Sequence, residues 1–245
     1  MDYELLLLLV LSVGAAAALY SSVGHGGASA YIALMTLAGL APAEVRPAAL
    51  VLNIIVAGLG AIRYVRAGRF EWRVFWPFAI TAIPAAFLAG RIELSPALYR
   101  PLLAFALALA ALRYLVWPQT DAAKETHAPP LWVALIAGAA LGALAGLTGI
   151  GGGVYLSPLI VYAGWSDPKR ATGIAALFIV VNSLAGLAGR LSSLAALPAS
   201  LPWLVAAVIV GAIAGTSLSL AKLDKRGVLR ALGVVLGIAA VALVT

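Results

Sequence analysis

The chain has 245 residues, of which 64% are apolar and only 10% are charged. Soluble domains carry about 25% charged residues, so the composition excludes a water-soluble fold and indicates an integral membrane protein. The net charge of +7 is typical of basic cytoplasmic loops, and nucleic acid is not an expected partner. The chain has no cysteine, which excludes disulfides, thiolate metal ligands and cysteine nucleophiles.

Charged residues and Pro/Gly-rich breaks divide the chain into ten apolar elements, all predicted to be helical. In chain order they cover residues 4–23, 26–40, 45–63, 73–91, 97–117, 131–148, 153–164, 170–190, 200–221 and 227–245. About 20 apolar residues are needed to span a bilayer, so 26–40 and 153–164 are short for full crossings. Both follow glycine-rich segments, and each is predicted to be a broken or re-entrant helix.

The first element, 4–23, follows a Met-Asp-Tyr-Glu start rather than the positive charge of a secretory signal peptide. We therefore expect the mature protein to keep this first helix. One hydrophilic linker, residues 118–130, separates two membrane halves, 1–117 and 131–245. Each half has an odd number of elements, so the second half must enter the membrane from the opposite side. The predicted fold is an all-α integral membrane protein with two inverted-topology repeats of five helical elements each.

Basic residues orient this topology, because Lys and Arg are enriched in cytoplasmic loops. Of the 16 Lys and Arg residues, twelve fall on the side of the central linker and four on the other. The linker is therefore predicted to be cytoplasmic and both termini outside. The expected location is the cell membrane, plasma or inner, with the lipid bilayer around a multi-pass chain.

Internal similarity supports the repeat, since inverted halves should share local patterns. The cluster Gly24–Gly27 follows the first helix, and the cluster Gly149–Gly153 follows the sixth. The next long element of each half contains a single asparagine, Asn53 in one and Asn182 in the other. The two halves therefore carry the same unusual features in the same order.

The second half resembles the sulfite exporter TauE/SafE family of membrane permeases. Two segments carry the resemblance: AGLTGIGGGVYLSPL at 145–159 and DPKRATG at 167–173. They look like the family's pattern of a helix, a glycine triplet, a proline soon after, and a small-residue helix opening with Ala-Thr-Gly. The first half is a looser copy, with His25, Ala28 and Ala33 at positions where the family usually has an apolar residue, glycine and proline. The resemblance implies a permease for small sulfur-containing anions such as sulfite or sulfonates, commonly acting in export.

The glycine breaks suggest how an anion could bind, because consecutive glycines interrupt a helix at about 1 kcal/mol each relative to alanine. The freed N–H groups and the positive end of the next helix attract an anion without a charged side chain. The two breaks are expected to meet near the bilayer midplane. The expected substrate-binding residues are those of the breaks with the nearby hydroxyls and amides: Ser21, Ser22, Gly24, His25, Gly26, Gly27, Asn53, Thr148, Gly149, Gly151, Gly152, Gly153 and Asn182. Ser29 and Ser157 lie close to the same breaks in sequence.

Structural alternatives exist for these groups. Serine and threonine in membranes often bond carbonyls of their own helix, and glycines spaced by four allow close helix packing. The spaced glycines fit packing within one chain and a homodimer equally well; they are Gly138, Gly142, Gly146, Gly211, Gly215, Gly233 and Gly237.

His25 is the one readily titratable side chain expected inside the membrane, which makes it the proton-coupling candidate. The alternative is a neutral imidazole that bonds a carbonyl at the broken helix. The predicted spans contain no internal carboxylate, Lys or Arg. Arg46, Arg91, Arg100 and Arg190 are interpreted as anchors at span ends, with anion attraction as a second role for Arg46 or Arg190.

The favoured function is a secondary transporter of a small sulfur-containing anion, bound near the midplane between two broken helices. The alternative is a passive anion channel, because a glycine-lined pore would use the same groups. An enzyme is not expected, since the predicted spans hold no cysteine, paired histidines or buried carboxylates. No cofactor or metal is expected.

Overall fold

The computed structural model describes residues 2–22, 25–116, 126–218 and 225–243. The helices in chain order are α1 (Tyr3–Ser22), α2 (Ala28–Leu37), α3 (Pro42–Arg66), α4 (Trp72–Gly90), α5 (Pro96–Val116), α6 (Leu131–Thr148), α7 (Gly153–Tyr162), α8 (Pro168–Gly189), α9 (Leu201–Leu218) and α10 (Lys225–Ala242). A 3₁₀ segment, Leu191–Ala196, lies between α8 and α9. These described ranges contain no β-strand, which confirms the predicted all-α fold. Most of the predicted linker lies outside them.

Six of the described helices, α1, α3, α4, α5, α6 and α8, are long and apolar enough to cross a membrane. Large apolar side chains such as Leu11, Phe105 and Ile136 are exposed on the outside of the bundle. A water-soluble protein would bury such side chains, whereas lipid solvates them. The structure therefore fits a multi-pass membrane protein.

Local sequence signals set where α3 and α8 begin. Pro42 occupies the first turn of α3, and the Ala41 N–H donates to the Glu44 carboxylate at 3.0 Å. The Asp167 carboxylate caps α8 by accepting the N–H groups of Lys169 and Arg170 at 2.9 and 3.1 Å. As a result α3 begins three residues before the predicted start at residue 45.

Basic residues gather at one end of the bundle, where α3 ends and α4 and α8 begin. Arg170 on α8 pairs with Glu71 before α4, and Gly173 packs against Arg69 beyond α3. We call this the basic end because of its exposed cations, which are Arg63, Arg66, Arg69, Arg73, Lys169 and Arg170. At the opposite end α3 begins, and α4, α6 and α8 end.

The two short helices are the return arms of re-entrant hairpins. The His127 N–H, shortly before α6, donates to the Gly164 carbonyl just beyond α7 at 3.1 Å. The α6–α7 hairpin therefore starts and finishes at the basic end. Helix α2 instead runs to the opposite end, because it is followed within five residues by the start of α3. Each return arm has 10 residues, or about 15 Å, half of a ~30 Å hydrocarbon core.

The first helix of each half packs against the fourth helix of the other half. Gly142 and Gly146 of α6 lie against the backbone of Ala82 and Ala86 in α4. In the same way, Gly211 and Gly215 of α9 lie against the backbone of α1. The spaced glycines thus pack helices within one chain. In an inverted repeat, packing of α1 against α9 requires the equivalent packing of α6 against α4, and both pairs are present. The inverted repeat itself stays a prediction.

Gly142→Ala is expected to destabilise the bundle, because an added Cβ would lie 2.6 Å from the Ala82 Cα and 2.7 Å from its carbonyl carbon. Overpacking of this kind costs about 1–3 kcal/mol. The matched control is Gly58→Ala in α3, where the new methyl group would meet nothing within 4 Å. Thermal unfolding in detergent should show a lower Tm for Gly142→Ala alone. Equal losses in both variants would contradict close α4–α6 packing.

Candidate functional site

The first break joins α1 to α2 and is described from His25 onwards, so the predicted Gly24 lies outside the described residues. The His25 N–H donates to the Tyr20 carbonyl at 2.9 Å and closes the end of α1. The imidazole, half-buried, meets the Tyr114 ring edge-on with centroids 6.3 Å apart. Gly27 then precedes α2, and the hydroxyl of Tyr31 lies against it. Aromatic side chains therefore surround this break.

The second break joins α6 to α7 through glycines in the left-handed region. Gly149 has φ +85°, Gly151 has φ +82° and Gly152 has φ +73°. Other residues pay about 1–2 kcal/mol for this conformation, which explains why glycine is needed here. The Gly149 N–H still reaches the Ala145 carbonyl at 2.8 Å and ends α6. The chain can therefore reverse direction within four residues.

Asn53 lies between the two breaks and contacts both. Its amide oxygen lies against Gly26 of the first break, and its Nδ2 lies against Gly151 of the second. The Nδ2 donates to the Ile150 carbonyl at 3.3 Å and to the Ser183 hydroxyl at 3.4 Å. Asn53 is fully buried near the middle of α3, and its Oδ1 has no hydrogen-bond partner among the described residues. The structure thus brings together three of the predicted site residues, Gly26, Gly151 and Asn53.

Glycine is also required where the second break meets α8. A Cβ on Gly153 would overlap Ile179 and lie 2.6 Å from the Ala175 carbonyl oxygen. A Cβ on Gly152 would lie 3.0 Å from the Leu141 carbonyl oxygen. The break is therefore clamped between its own hairpin and α8, with its backbone held close to Asn53.

Two of the hydroxyls near the breaks, those of Ser22 and Thr148, are engaged within their own helices. Ser22 donates to the Leu19 carbonyl at 2.7 Å, and Thr148 donates to the Leu144 carbonyl at 2.6 Å. The Ser29 hydroxyl bonds the Tyr20 hydroxyl at 2.7 Å. Ser21 differs, since its buried Oγ has no hydrogen-bond partner among the described residues. Ser22 and Thr148 therefore bond carbonyls of their own helices, which is the alternative to substrate binding given in the sequence analysis.

Asn182 does not occupy a position equivalent to that of Asn53. Its Nδ2 donates to the Phe178 carbonyl, one turn earlier in α8, at 2.9 Å. The side chain is fully buried, and its Oδ1 has no hydrogen-bond partner among the described residues. The neighbouring Ser183, which the sequence analysis did not single out, is the α8 residue that reaches Asn53.

Helix α5 supplies tyrosines to both breaks, and the sequence analysis missed them. Tyr114 packs against His25 at the first break, and the Tyr99 hydroxyl donates to the Thr148 carbonyl beside the second at 3.4 Å. The Tyr155 hydroxyl on α7 donates to the Ala106 carbonyl of α5 at 2.6 Å. Tyrosine is common in membrane helices and carries no spacing signal, so only the packing identifies these residues.

Arg46, interpreted from the sequence as an anchor at a span end, is buried in the protein. Because α3 begins at Pro42, Arg46 lies in its second turn and is only 4% exposed. Its Nη2 donates to the Gly146 carbonyl at 2.9 Å, and its guanidinium carbon lies 5.3 Å from the centre of the Tyr99 ring. Arg190 is also buried, whereas Arg91 and Arg100 are exposed, as expected for anchors.

Metal ligands do not gather anywhere in the described part of the chain: no three His, Cys, Asp or Glu residues lie close enough to hold an ion. The two ion pairs found there both involve Arg170 at the basic end. The groups recorded around Asn53 are neutral: the Ile150 carbonyl, the Ser183 hydroxyl and the backbone of both breaks.

Comparison with known proteins gives a family match and a similar membrane protein. The family described as "Sulfite exporter TauE/SafE" matches residues 8–243. A protein of Sinorhizobium fredii (strain NBRC 101917 / NGR234), described as "Probable membrane transporter protein y4hK", is 38% identical over 199 residues, covering 80% of this chain and 81% of that protein. No solved structure matches the chain.

Proposed function

This chain belongs to the sulfite exporter TauE/SafE family of membrane transporters, and we propose that it carries a small sulfur-containing oxyanion past Asn53. Sulfite and organosulfonates are the expected substrates. The observation that supports this site is the contact of one buried amide with both glycine breaks. The protein is a permease and not an enzyme.

The donors around Asn53 suit an oxyanion. The two hydrogen bonds of its Nδ2 are long, at 3.3 and 3.4 Å, so a sulfonate oxygen could replace either acceptor. Helices α2 and α7 both begin at the breaks, and their first N–H groups add partial positive charge. Hydrogen bonds to a charged partner contribute about 1.5–3 kcal/mol each. The backbone of the breaks can come close to Asn53 because the breaks consist largely of glycines, which are Gly26, Gly27, Gly151, Gly152 and Gly153.

The proposed alternating access uses the two re-entrant hairpins, which enter the bundle from opposite ends. In the proposal the two halves, residues 1–117 and 131–245, are inverted repeats, and rocking one against the other opens Asn53 to each side in turn. The basic end lies on the cytoplasmic side of the cell membrane, because it carries the clustered Arg and Lys residues. Both termini then lie outside.

Flux measurements in proteoliposomes test the proposal. Labelled sulfite, 2-aminoethanesulfonate and sulfate are loaded, and efflux is compared with that from protein-free liposomes. A carrier is expected to show saturable flux that is stimulated by the same anion on the opposite side. Conductance that rises linearly with concentration would support the passive anion channel instead. Flux equal to that of empty liposomes for all three anions would overturn the proposal.

His25 is proposed to couple proton and anion movement, since it stands in the first break, just before the chain enters α2. A nearby anion favours the protonated imidazole, so binding of the two ions would be linked. His25→Gln, which keeps a hydrogen-bonding side chain, is expected to leave flux measurable but insensitive to a pH gradient. Wild-type flux should respond to the gradient. The same response in His25→Gln would show that the proton moves elsewhere or not at all.

A further inference from the structure

Two arginines are buried together at the end of the bundle opposite the basic end. Arg46 is 4% exposed and Arg190 is 7% exposed. Arg190 donates through Nε to the Gly90 carbonyl at 3.0 Å and through Nη2 to the Ile92 carbonyl at 2.8 Å. Gly90 packs against Gly146, whose carbonyl accepts from Arg46. The guanidinium groups are thus held on adjacent backbone segments.

The positive charge of this pair is not matched by a carboxylate. No Asp or Glu in the described ranges lies within 4.0 Å of either guanidinium. Glu93 is exposed and influences both arginines only through space. Burial lowers the pKa of Arg190, while Glu93 and Tyr99 oppose that effect. Two buried like charges without a close counter-ion are costly, so a bound anion would stabilise them.

Capping of helix ends accounts for only part of this arrangement. Gly90 ends α4 and Gly146 lies in the last turn of α6, so both arginines bond carbonyls at negative helix ends. Arg46 nevertheless keeps a buried Nε without a hydrogen-bond partner among the described residues. A buried donor left unpaired costs about 1–3 kcal/mol, which an acceptor oxygen would recover.

Arg46 also lies on the same face of α3 as Asn53. Seven residues separate them, which is two helical turns or about 10 Å along the axis. Both side chains contact the second hairpin: Arg46 at Gly146 and Asn53 at Ile150. The main-chain carbonyl of Arg46 also lies near Gly149, the first glycine of the second break.

We propose that Arg46, with Arg190 beside it, binds an oxyanion at the end of the bundle where α3 begins, about 10 Å from Asn53. Arg46 contacts the anion through its guanidinium, and Arg190 positions the site and adds positive potential. The identity of the anion as sulfite or a sulfonate rests on the proposed function. The existence of the site does not rest on the proposed function, because anion binding at equilibrium is measured without transport.

Anion-dependent thermal stability of the detergent-purified chain tests this site. At constant ionic strength, sulfite, 2-aminoethanesulfonate or sulfate should raise the wild-type Tm saturably, since a ligand of the folded state stabilises it. Arg46→Gln is expected to raise the apparent Kd roughly tenfold or more, because a charge-assisted hydrogen bond to the anion is lost. Arg46→Lys keeps the charge and a donor for Gly146 but lacks Nε, and should show an intermediate Kd.

Two controls separate this site from others. Arg91→Gln removes an exposed cation at the same end and should leave the Kd unchanged. Asn53→Ala removes the amide of the proposed transport site but leaves Arg46 in place, so the part of the anion-dependent rise in Tm that Arg46→Gln abolishes should persist. Wild-type Kd in Arg46→Gln, loss of binding in Asn53→Ala alone, or no rise in Tm for any oxyanion would each overturn the inference. Absent flux with Arg46-dependent binding would instead refute the proposed function.

Discussion

Gly151→Ala is expected to abolish anion flux, whereas Gly39→Ala should preserve it. An added Cβ at Gly151 would lie 2.5 Å from the Asn53 Nδ2 and 3.2 Å from the Ser183 hydroxyl. The methyl group would therefore occupy the space in which Asn53 donates its hydrogen bonds. Flux of labelled anion in proteoliposomes, per folded protein, measures the effect.

Gly39 is a matched control for backbone strain. Both glycines have φ +82°, so alanine at either position costs about 1–2 kcal/mol in the left-handed region. At Gly39, however, the new methyl group would meet nothing within 4 Å. Any difference in flux between the variants then reports the contact with Asn53. Similar flux from both would show that Gly151 is needed only for the turn.

Asn53→Ala is expected to reduce flux at low substrate concentration by about tenfold to a hundredfold, and Asn182→Ala by far less. The loss corresponds to one hydrogen bond to a charged ligand, about 1.5–3 kcal/mol. The Asn53 amide contacts both breaks, whereas the Asn182 amide donates to its own helix. Both residues are fully buried, so the truncations are comparable in burial.

Initial rates over a range of anion concentrations check this prediction. Tm values in the absence of anion show whether either variant loses folding stability as well. If both variants lose flux and Tm equally, the amides of Asn53 and Asn182 are both needed for folding and neither is specific to anion binding. A greater loss in Asn182→Ala would move the proposed site towards α8.

Local signals in the sequence predicted that both short helices are broken or re-entrant, and they singled out Asn53 as a candidate residue near the breaks. Runs of glycine, lengths too short to span and one amide in an apolar helix are each visible without tertiary structure. Ser183 was not predicted because a serine among small residues is typical of helix packing. It reaches Asn53 only because α3 and α8 run antiparallel in one register, with Leu50 near Gly186 and Gly60 near Ala176.

Arg46 shows how a helix boundary can hide a buried charge. The sequence analysis began the third element at residue 45 and interpreted Arg46 as an anchor at its end. Pro42 and Glu44 start the helix earlier, which moves Arg46 into the second turn and against α6. The burial of Arg190 depends on the packing of α4 against α8, which no local pattern encodes. Span-end cations therefore need a structure before their role can be assigned.

The exchange of partners between α1 and α9, and between α4 and α6, has a consequence for biosynthesis. When the ribosome has completed α5, neither α1 nor α4 has the helix against which its small residues pack in the finished protein. Both must wait in the lipid or in the insertion machinery until α6 and α9 arrive. The packing of α1 and α4 is therefore completed only after helices of the second half have been made.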